Sequence, residues 1–402
     1  MPEPVLLTLN AGSSSLKFAL FTASGHPRRL WSGAIDRIGL PGAHFQLSDA
    51  RRTVVLDEPG RLDSHEAALT RLLNAIASLP GALDLVAVGH RIVHGGPDCD
   101  CPKRITPALL ARLHRLTSMA PLHMPPNLAG VQAVQAVRPD VFQLACFDTA
   151  FHHDLPRMAR MTALPRAYAD DGIRRYGFHG LSYEYIVKTL RDDGVNTDAE
   201  RIIIAHLGNG ASMAALRGGK PVETSMGFST IAGLPMGTRP GDLDPGIVLY
   251  LMQEKGMKPD EVADLLYHQS GLLGLSGTSR NMHDLLDSHE ENAAEAVEFF
   301  CYQARLHLAR LTAALGGLDR VVFTGGIGEN SAEIRGRICA GLGYLGISLA
   351  SHANTAGDKV ISAPGTRVTV EVRATDEEEM IARHVSAQFN AGRVSEPAAM
   401  EG

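Results

Sequence analysis

The sequence predicts an α/β protein built from two related domains. Its 402 residues are too many for one ordinary core. Segments typical of strands and of helices alternate along the chain. Residues 6–21 (LLTLNAGSSSLKFALF) and 202–217 (IIIAHLGNGASMAALR) share one pattern of apolar strand, polar residue, small-residue turn and second apolar strand. A repeat separated by about 200 residues indicates two domains that begin with the same hairpin, although two ordinary hairpins would also give this pattern.

Apolar spacing and cap residues define the elements of the first half. The predicted elements are a helix over 63–79 capped by Asp63 or Ser64, a strand over 85–96 that runs into a glycine turn, a helix over 106–116 with Thr106 as its cap and Pro107 in the first position, and a buried strand over 141–151.

The second half follows the same rules. Its predicted elements are a helix over 181–194 capped by Ser182, a long helix over 291–317 closed by two glycines, a strand, glycine loop and helix over 320–338, and a helix over 376–389 with Asp376 and Glu379 as a capping box.

The composition excludes several classes of function. A net charge of −6 provides no basic footprint for nucleic acid and no polybasic segment for a membrane surface. No signal peptide is recognisable, and no apolar stretch approaches the ~20 residues that a membrane span needs. The 5 cysteines indicate reduced thiols and a cytoplasmic protein. Cys99 and Cys101 could bind a soft metal, but no second cysteine pair lies near them.

Three loops of small residues follow predicted strands. They are NAGSSSLK (10–17), HLGNGAS (206–212) and TGGIGEN (324–330). Glycine lets the backbone approach a charged ligand, and successive N–H groups in such turns form anion-binding concavities. None of the three is a Walker A loop or a complete dinucleotide fingerprint. Together they predict a polyphosphate bound in a cleft between two similar domains.

Ten motifs, spread over nearly the whole chain, resemble those of the acetate kinase family, within the sugar kinase, Hsp70 and actin superfamily. They are NAGSSSLKF (10–18), GHRIVHGG (89–96), PLHMPPN (121–127), FDTAFH (147–152), YGFHG (176–180), HLGNGAS (206–212), TSMGF (224–228), MGTRPGDLDPG (236–246), GIGENS (326–331) and DEEEMIAR (376–383).

The resemblance implies duplicated ribonuclease H-like (actin-like ATPase) domains with the active site in the cleft between them. It implies an acyl-kinase domain over 1–149 plus 382–402, a nucleotide-binding and dimerisation domain over 150–381, and a homodimer. The implied reaction is reversible phosphoryl transfer from ATP to acetate, giving ADP and acetyl phosphate, with Mg²⁺ or, as a substitute, Mn²⁺. The chemistry is plausible because a carboxylate is already anionic at pH 7 and needs no general base.

The resemblance assigns the reacting groups to four residues. Arg91 and Arg239 would hold the acyl carboxylate and the phosphoryl group, His179 would donate a hydrogen bond to the phosphoryl group, and Asp148 would orient arginine and Mg²⁺-bound water. Structural ion pairs for the arginines, and a core or surface position for His179, are the alternatives.

The remaining predicted site residues would contact the acyl group, the metal or the nucleotide. Val93, Leu122 and Phe178 would wall an apolar pocket for the methyl group. By the resemblance, His123 would be a second, supporting contact to the phosphoryl group, unless it is a core or surface histidine. Asn10 and Glu377 would hold Mg²⁺, unless Glu377 only complements the dipole of its helix. The nucleotide-binding residues would be Ser13, Lys17, His206, Leu207, Gly208, Asn209, Gly210, Asn281, Met282, His283, Gly326, Ile327, Gly328, Glu329 and Asn330. Lys17 could instead point to solvent, and His206 could simply anchor its turn.

The chain departs from the family pattern at several positions around these residues. Asn281-Met282-His283 replaces Asp-Met-Arg, which leaves the nucleotide preference open. Thr230 replaces a proline of the acyl pocket, and its hydroxyl is expected to bond to the backbone. Met124 and Tyr183 also replace the usual residues.

The predicted function is a short-chain acyl kinase that prefers acetate. Propionate is the nearest alternative substrate, because one methylene is worth only ~1–3 kcal/mol of discrimination. A nucleotide-binding paralogue without turnover, and an ATPase or acyl phosphatase that uses water, are the rival classes. The intact set of charged residues argues against the paralogue without turnover.

Overall fold

The computed structural model describes residues 2–12, 14–79 and 81–395, which divide into two compact units. Of the described residues, unit 1 comprises those up to His153 and those from Asp376 to Ser395, and unit 2 comprises Asp154–Thr375. The sequence analysis placed the two boundaries after residues 149 and 381. The structure adds residues 150–153 and 376–381 to unit 1, because the C-terminal helix that begins at Glu377 packs on strands of that unit.

In chain order, the strands of the described residues are β1 (Glu3–Ala11), β2 (Ser15–Thr22), β3 (Arg29–Asp36), β4 (Ala43–Asp49), β5 (Val54–Gly60), β6 (Leu83–Ile92), β7 (Lys103–Arg104), β8 (Phe142–Phe147), β9 (Arg201–Leu207), β10 (Ala211–Arg217), β11 (Lys220–Thr224), β12 (Arg320–Thr324) and β13 (Thr369–Val372).

The α-helices of the same residues are α1 (His65–Ala77), α2 (Pro107–Arg115), α3 (Met124–Val137), α4 (Arg157–Arg160), α5 (Ala167–Asp170), α6 (Gly180–Asp192), α7 (Pro245–Gln253), α8 (Pro259–His268), α9 (Gly271–Ser276), α10 (Met282–Leu286), α11 (Glu291–Leu315), α12 (Gly325–Asn330), α13 (Ala332–Cys339), α14 (Ser351–Ala356) and α15 (Glu377–Ser395). Short 3₁₀ turns cover Gly96–Asp98, Thr117–Met119, Ala150–His152 and Gly343–Leu345.

The sheet of unit 1 has the strand order β5-β4-β3-β2-β1-β6-β8-β7. Strands β1 to β5 form an antiparallel meander, and β6 and β8 run parallel to β1. Helices α1 and α3 pack together, and α15 packs on β1 and β6. Gly89 makes the close approach of α15 feasible, because a Cβ there would lie 2.4 Å from Ile381 Cγ2 and 2.6 Å from Val385 Cγ2.

The sheet of unit 2 has the order β11-β10-β9-β12-β13. Strands β9, β10 and β11 are antiparallel, whereas β12 and β13 run parallel to β9 and to each other. Ile202, Ile203 and Ile204 of β9 are all fully buried, which indicates that both faces of the sheet are covered. The order matches β3-β2-β1-β6-β8 of unit 1, so the predicted duplication of an α/β core is confirmed.

The two opening hairpins end in equivalent turns. In β1 and β2, Asn10 pairs with Lys17 next to the turn, and in β9 and β10, His206 pairs with Ser212. These pairs lie where the repeated sequence pattern places a polar residue before a small-residue turn. The structure therefore excludes the interpretation that the two segments are unrelated hairpins.

Most predicted helix ends are confirmed. Ser64, and not Asp63, caps α1 by accepting the amide of Ala67 at 3.1 Å. Thr106 caps α2, and Gly316, with a φ of 69°, ends α11. Asp376 Oδ1 accepts the amide of Glu379 at 2.8 Å at the start of α15.

Two local predictions were wrong. Helix α6 begins at Gly180, and its N-cap is His179 in a left-handed conformation (φ 58°), so Ser182 lies within the helix. The glycine loop predicted after β12 is the short helix α12, because Gly325 with a φ of 78° lets the chain turn directly from strand to helix.

Candidate active site

In unit 1, Arg91 lies near the end of β6 and Asp148 directly follows β8, and these neighbouring strand ends bring the two side chains together. Arg91 Nε donates to both carboxylate oxygens of Asp148 at 3.0 and 3.1 Å, and Nη2 donates to Oδ2 at 2.6 Å. The Asp148 side chain is only 1% exposed. A carboxylate at this depth is costly unless it is paired, and this guanidinium is its partner.

The helix α15 adds a second carboxylate to Arg91. Glu377 Oε2 lies 3.4 Å from Arg91 Nη1. Burial alone would lower the pKa of Arg91, but the charges of Asp148 and Glu377 outweigh it and raise that pKa. Burial, together with the neighbouring Glu377 and Asp376, also raises the pKa of Glu378. Arg91 is therefore a permanent cation held in one orientation.

Asn127, in α3, fixes the loop that carries Val93, and the sequence analysis did not single it out. Its Oδ1 accepts the amide of Val93 at 2.9 Å, and its Nδ2 donates to the carbonyl of Ala11 at 2.7 Å. One buried amide thereby ties the end of β1 to the chain that leaves β6. The motif PLHMPPN contained this residue, but only the tertiary structure identifies its two partners.

The other predicted residues of unit 1 lie on these same elements. Val93 is buried, whereas Leu122 and His123 are partly buried and directly precede α3. Asn10 lies on β1 beside Lys17, which is exposed on β2. Ser13 lies outside the described residues.

In unit 2, two imidazole rings stack where α6 meets β9. The His179 and His206 ring centroids lie 4.4 Å apart, with 20° between the ring planes. Hydrogen bonds hold each ring: His179 Nδ1 lies 2.8 Å from Ser212 Oγ, and His206 Nδ1 lies 2.8 Å from Ser182 Oγ. The left-handed backbone of His179 (φ 58°) is uncommon for a residue with a side chain, and it places the ring at the start of α6.

Arg239 lies beside His179. A Cβ placed on Gly210 would lie 2.9 Å from Arg239 Nη2 and 3.2 Å from His179 Nε2, so both side chains approach the backbone of this turn closely. Arg239 Nη1 donates to the carbonyl of Thr230 at 2.7 Å. The turn HLGNGAS thus leaves room for a guanidinium and an imidazole next to its backbone, as phosphate recognition requires.

Thr230 itself differs from expectation. Its side chain is buried, and among the described residues its hydroxyl makes no hydrogen bond to the backbone; the phenol of Tyr267 is the polar group that interacts with it. The prediction that this hydroxyl would bond to the backbone was therefore wrong. The Thr230 carbonyl, which the sequence analysis did not consider, is the group that positions Arg239.

A cavity of about 430 Å³ in unit 2 collects many of the predicted nucleotide-binding residues. It is lined by Gly208, Asn209, Asn281, Met282, His283, Leu286, Gly326, Ile327, Asn330 and Ser331. The amide of Asn281 is used locally, since its Oδ1 accepts the amide of His283. The cavity combines apolar side chains, carboxamides and glycine backbone, which suits a nucleotide.

The other predicted nucleotide-binding residues have different surroundings. Leu207 is fully buried in β9. Glu329 Oε1 accepts the amides of Gly325 at 2.8 Å and Thr375 at 3.1 Å, and the carbonyl of Gly328 accepts Arg335 Nη1 at 2.9 Å. Glu329 therefore fixes the start of α12, and the Gly328 carbonyl joins α12 to Arg335 of α13. Helix α12 presents Gly326 and Ile327 to the cavity.

Among the described residues, no group of three His, Cys, Asp or Glu side chains is arranged to hold a metal ion. Mg²⁺, however, usually takes one or two carboxylates together with waters and substrate phosphates. Glu377 and Asp148, which share Arg91, and Asn10 of the same unit offer the oxygen ligands that this mode needs. The donor set of unit 1 fits Mg²⁺ that also keeps several waters.

Comparison with known proteins agrees with this chemistry. Residues 5–383 match the model of the Acetokinase family. The chain is 47% identical over 396 residues to an acetate kinase of Methylocella silvestris, covering 95% of this chain and 97% of that protein.

Two solved structures are also similar. The acetate kinase of Porphyromonas gingivalis has a TM-score of 0.87 at 36% identity and covers 96% of this chain and 100% of its own. A propionate kinase from Francisella tularensis has a TM-score of 0.90 at 32% identity and covers 96% and 99%.

Fold and site define a kinase with two actin-like ATPase domains, as predicted. Within that class, the chain belongs to the acetate kinase family. No helix in the part of the chain that the structure describes has the length and apolar character needed to cross a membrane.

Proposed function

We propose that the protein catalyses reversible, Mg²⁺-dependent phosphoryl transfer from ATP to acetate, giving ADP and acetyl phosphate. The observation that carries the proposal is Arg91, a permanent cation held by Asp148 and Glu377. Its fixed guanidinium suits a carboxylate or phosphoryl oxygen better than a mobile lysine would. Family membership supplies the reaction class, and the charged residues that the reaction needs are all present.

The roles of the residues follow from charge. Acetate is already an anion, so the barrier lies in bringing it to the phosphate chain and in stabilising the charge of the transferring group. Arg91 and Arg239 neutralise that charge, and His179 donates a hydrogen bond from Nε2. Glu377, Asp148 and Asn10 would hold Mg²⁺, which neutralises phosphate charge when bound. The unit 2 cavity binds the nucleoside, with Met282, Leu286 and Ile327 against the base.

Acetate is the proposed preferred substrate. Val93 is branched and its amide is fixed by Asn127, so this wall cannot easily retreat to admit a longer chain. Leu122 and Phe178 are the other proposed walls for the methyl group, and His123 is proposed as a second contact to the phosphoryl group. Propionate kinase is the second candidate, because a propionate kinase is among the similar structures.

The protein also forms a homodimer in this proposal. Helix α7 has no buried residue in the isolated chain, yet it carries Ile247, Leu249 and Tyr250, which are 44%, 55% and 51% exposed. Phe299, Tyr302 and Leu306 of α11 are exposed as well. An apolar helix exposed all round marks an interface. The proposed compartment is the cytoplasm, since all described cysteines are free thiols.

The test is a hydroxylamine trap for acyl phosphate, with ATP, Mg²⁺ and each of acetate, propionate and butyrate. We expect kcat/KM to fall in that order, and the Val93→Ala variant to shift the order towards propionate. Phosphate release without hydroxamate would show an ATPase, and nucleotide binding without either product would show a paralogue without turnover. A wild-type preference for butyrate, or no shift in the variant, would remove Val93 from the pocket.

A further inference from the structure

A chain of hydrogen bonds runs from the interior of unit 2 to the ring of His179. Tyr183 Oη lies 2.5 Å from Ser212 Oγ, and Ser212 Oγ lies 2.8 Å from His179 Nδ1. Tyr183 and Ser212 are both fully buried. Ser212 belongs to β10 and Tyr183 to α6, so the chain joins the helix that His179 precedes to the second strand of the opening hairpin.

The donor directions along this chain follow from chemistry. A phenol is a stronger hydrogen-bond donor and a weaker acceptor than an aliphatic hydroxyl. Burial raises the pKa of Tyr183, so the phenol keeps its proton. Tyr183 therefore donates to Ser212, and the hydrogen of Ser212 is left to point at His179 Nδ1. A ring nitrogen that accepts a hydrogen bond carries no proton of its own.

We propose that Tyr183, acting through Ser212, is a positioning residue that holds His179 in the neutral form with its proton on Nε2. This inference rests on the proposed function for its catalytic meaning, since Nε2 is the atom that lies beside Gly210 with Arg239. Tyr183 ends the segment GFHGLSY, four residues after His179, so one short stretch of sequence carries both ends of the hydrogen-bond chain.

The charges around the ring favour the same state. Among the groups that face His179 are the guanidinium of Arg239, the stacked ring of His206, and the hydroxyls of Ser212 and Tyr183 behind it. A protonated His179 would place a cation beside Arg239 and against a second imidazole. A neutral ring with Nε2–H donates to a phosphoryl oxygen without that repulsion. Tyr183 and Ser212 thus keep the Nε2–H group of His179 available as a donor without protonation of the ring to a cation.

The test compares wild type with Tyr183→Phe and Ser212→Ala in the full-length protein. Long-range ¹H–¹⁵N spectra of histidine-labelled protein, assigned with His179→Gln, report which nitrogen carries the proton. Wild type should show Nε2–H. In Tyr183→Phe, Ser212 is free to turn and accept from a protonated ring, so the titration midpoint of His179 should rise. If the titration midpoint of His179 falls in Tyr183→Phe, then Tyr183 accepts the hydrogen bond from Ser212. If the midpoint is unchanged, Tyr183 has no influence on the protonation of His179. Either result overturns the proposal.

Kinetics give the second readout. Tyr183→Phe should lower kcat about tenfold near pH 8, with KM for ATP and acetate within about twofold, because one fixed donor is loosened while binding is retained. Tyr176→Phe is the matched control: it also removes a hydrogen bond of a buried tyrosine, to the carbonyl of Gly172 at 2.8 Å, but should leave the pH profile unchanged. If wild type makes no acetyl phosphate, the proposed function fails, while the spectra still decide the relay.

Discussion

At the scale of the residue, Arg91 carries two tasks that mutagenesis can separate. It neutralises Asp148, a nearly inaccessible carboxylate, and it offers a fixed guanidinium to the substrates. Arg91→Ala removes both, and an uncompensated buried carboxylate costs about 3–5 kcal/mol of stability. Loss of activity in that variant would therefore not show a catalytic role.

Arg91→Lys keeps the positive charge beside Asp148 but loses the planar, forked geometry. We expect kcat to fall at least about 100-fold while the melting temperature stays close to wild type, because the charge pair survives and the bidentate contact does not. Arg201→Lys is the matched control, since Arg201 pairs with Asp319 at 2.7 Å in unit 2 away from the site residues. Near wild-type turnover in Arg91→Lys would remove Arg91 from the reaction.

Glu377 is the second residue whose role has two explanations. The helix cap is supplied by Asp376, so a metal role for Glu377 does not compete with capping. Glu377→Gln should raise the Mg²⁺ concentration needed for half-maximal activity about tenfold or more, because a neutral amide is a weaker ligand. Glu379→Gln alters the same helix turn, where Glu379 pairs with Arg383, and should leave the Mg²⁺ response unchanged. Equal responses in both variants would favour a dipole effect.

At the scale of the element, His90 couples β6 to β8 and makes the sheet of unit 1 sensitive to acid. His90 Nε2 lies 2.8 Å from Gln143 Oε1, and burial lowers the pKa of His90 to about 4. Between about pH 6.5, the ordinary histidine pKa, and pH 4, His90 is protonated in the unfolded chain but stays neutral in the folded chain. Stability should therefore fall as the pH drops from about 6.5 towards 4, by up to about 3 kcal/mol.

Urea unfolding of the full-length protein at pH 7 and pH 5 measures this dependence. His90→Gln, which cannot titrate, should show a smaller loss between the two values than wild type. His352→Gln changes an exposed histidine and should keep the wild-type dependence. If His90→Gln loses as much stability as wild type, another group causes the acid sensitivity.

At the scale of the whole molecule, the apolar face of α7 predicts association. Leu249→Glu places a charge at the centre of this helix and should convert a dimer into a monomer in light-scattering measurements, because a buried unpaired carboxylate is costly. Val55→Glu, on the exposed strand β5, introduces the same charge at a residue of similar exposure and should leave the mass unchanged. A monomeric wild type would contradict the proposed homodimer.

The sequence predicted most of what depends on local pattern. The repeated hairpins of residues 6–21 and 202–217 predicted two copies of one sheet, because side-chain alternation and small-residue turns are local features. The capping of α1 and α2 was predictable for the same reason. Asn127 and Ser212 were not, because their partners lie far away in sequence: Asn127 bonds to Ala11, and Ser212 bonds to His179. The prediction for the Thr230 hydroxyl was wrong because it relied on the tendency of threonine to bond to nearby backbone. The group of Thr230 that binds a functional side chain is its carbonyl, which accepts a hydrogen bond from Arg239.

The central claim is that an oxygen atom of acetate attacks the terminal phosphoryl group of ATP. A ³¹P NMR time course with wild-type protein, Mg²⁺, ATP and acetate labelled with ¹⁸O in both carboxyl oxygens tests it most directly. We expect an acetyl phosphate signal that grows in step with ADP and carries the isotope shift of an ¹⁸O bridge between carbon and phosphorus. Formation of ADP with inorganic phosphate alone, or of acetyl phosphate without the isotope shift, would contradict it.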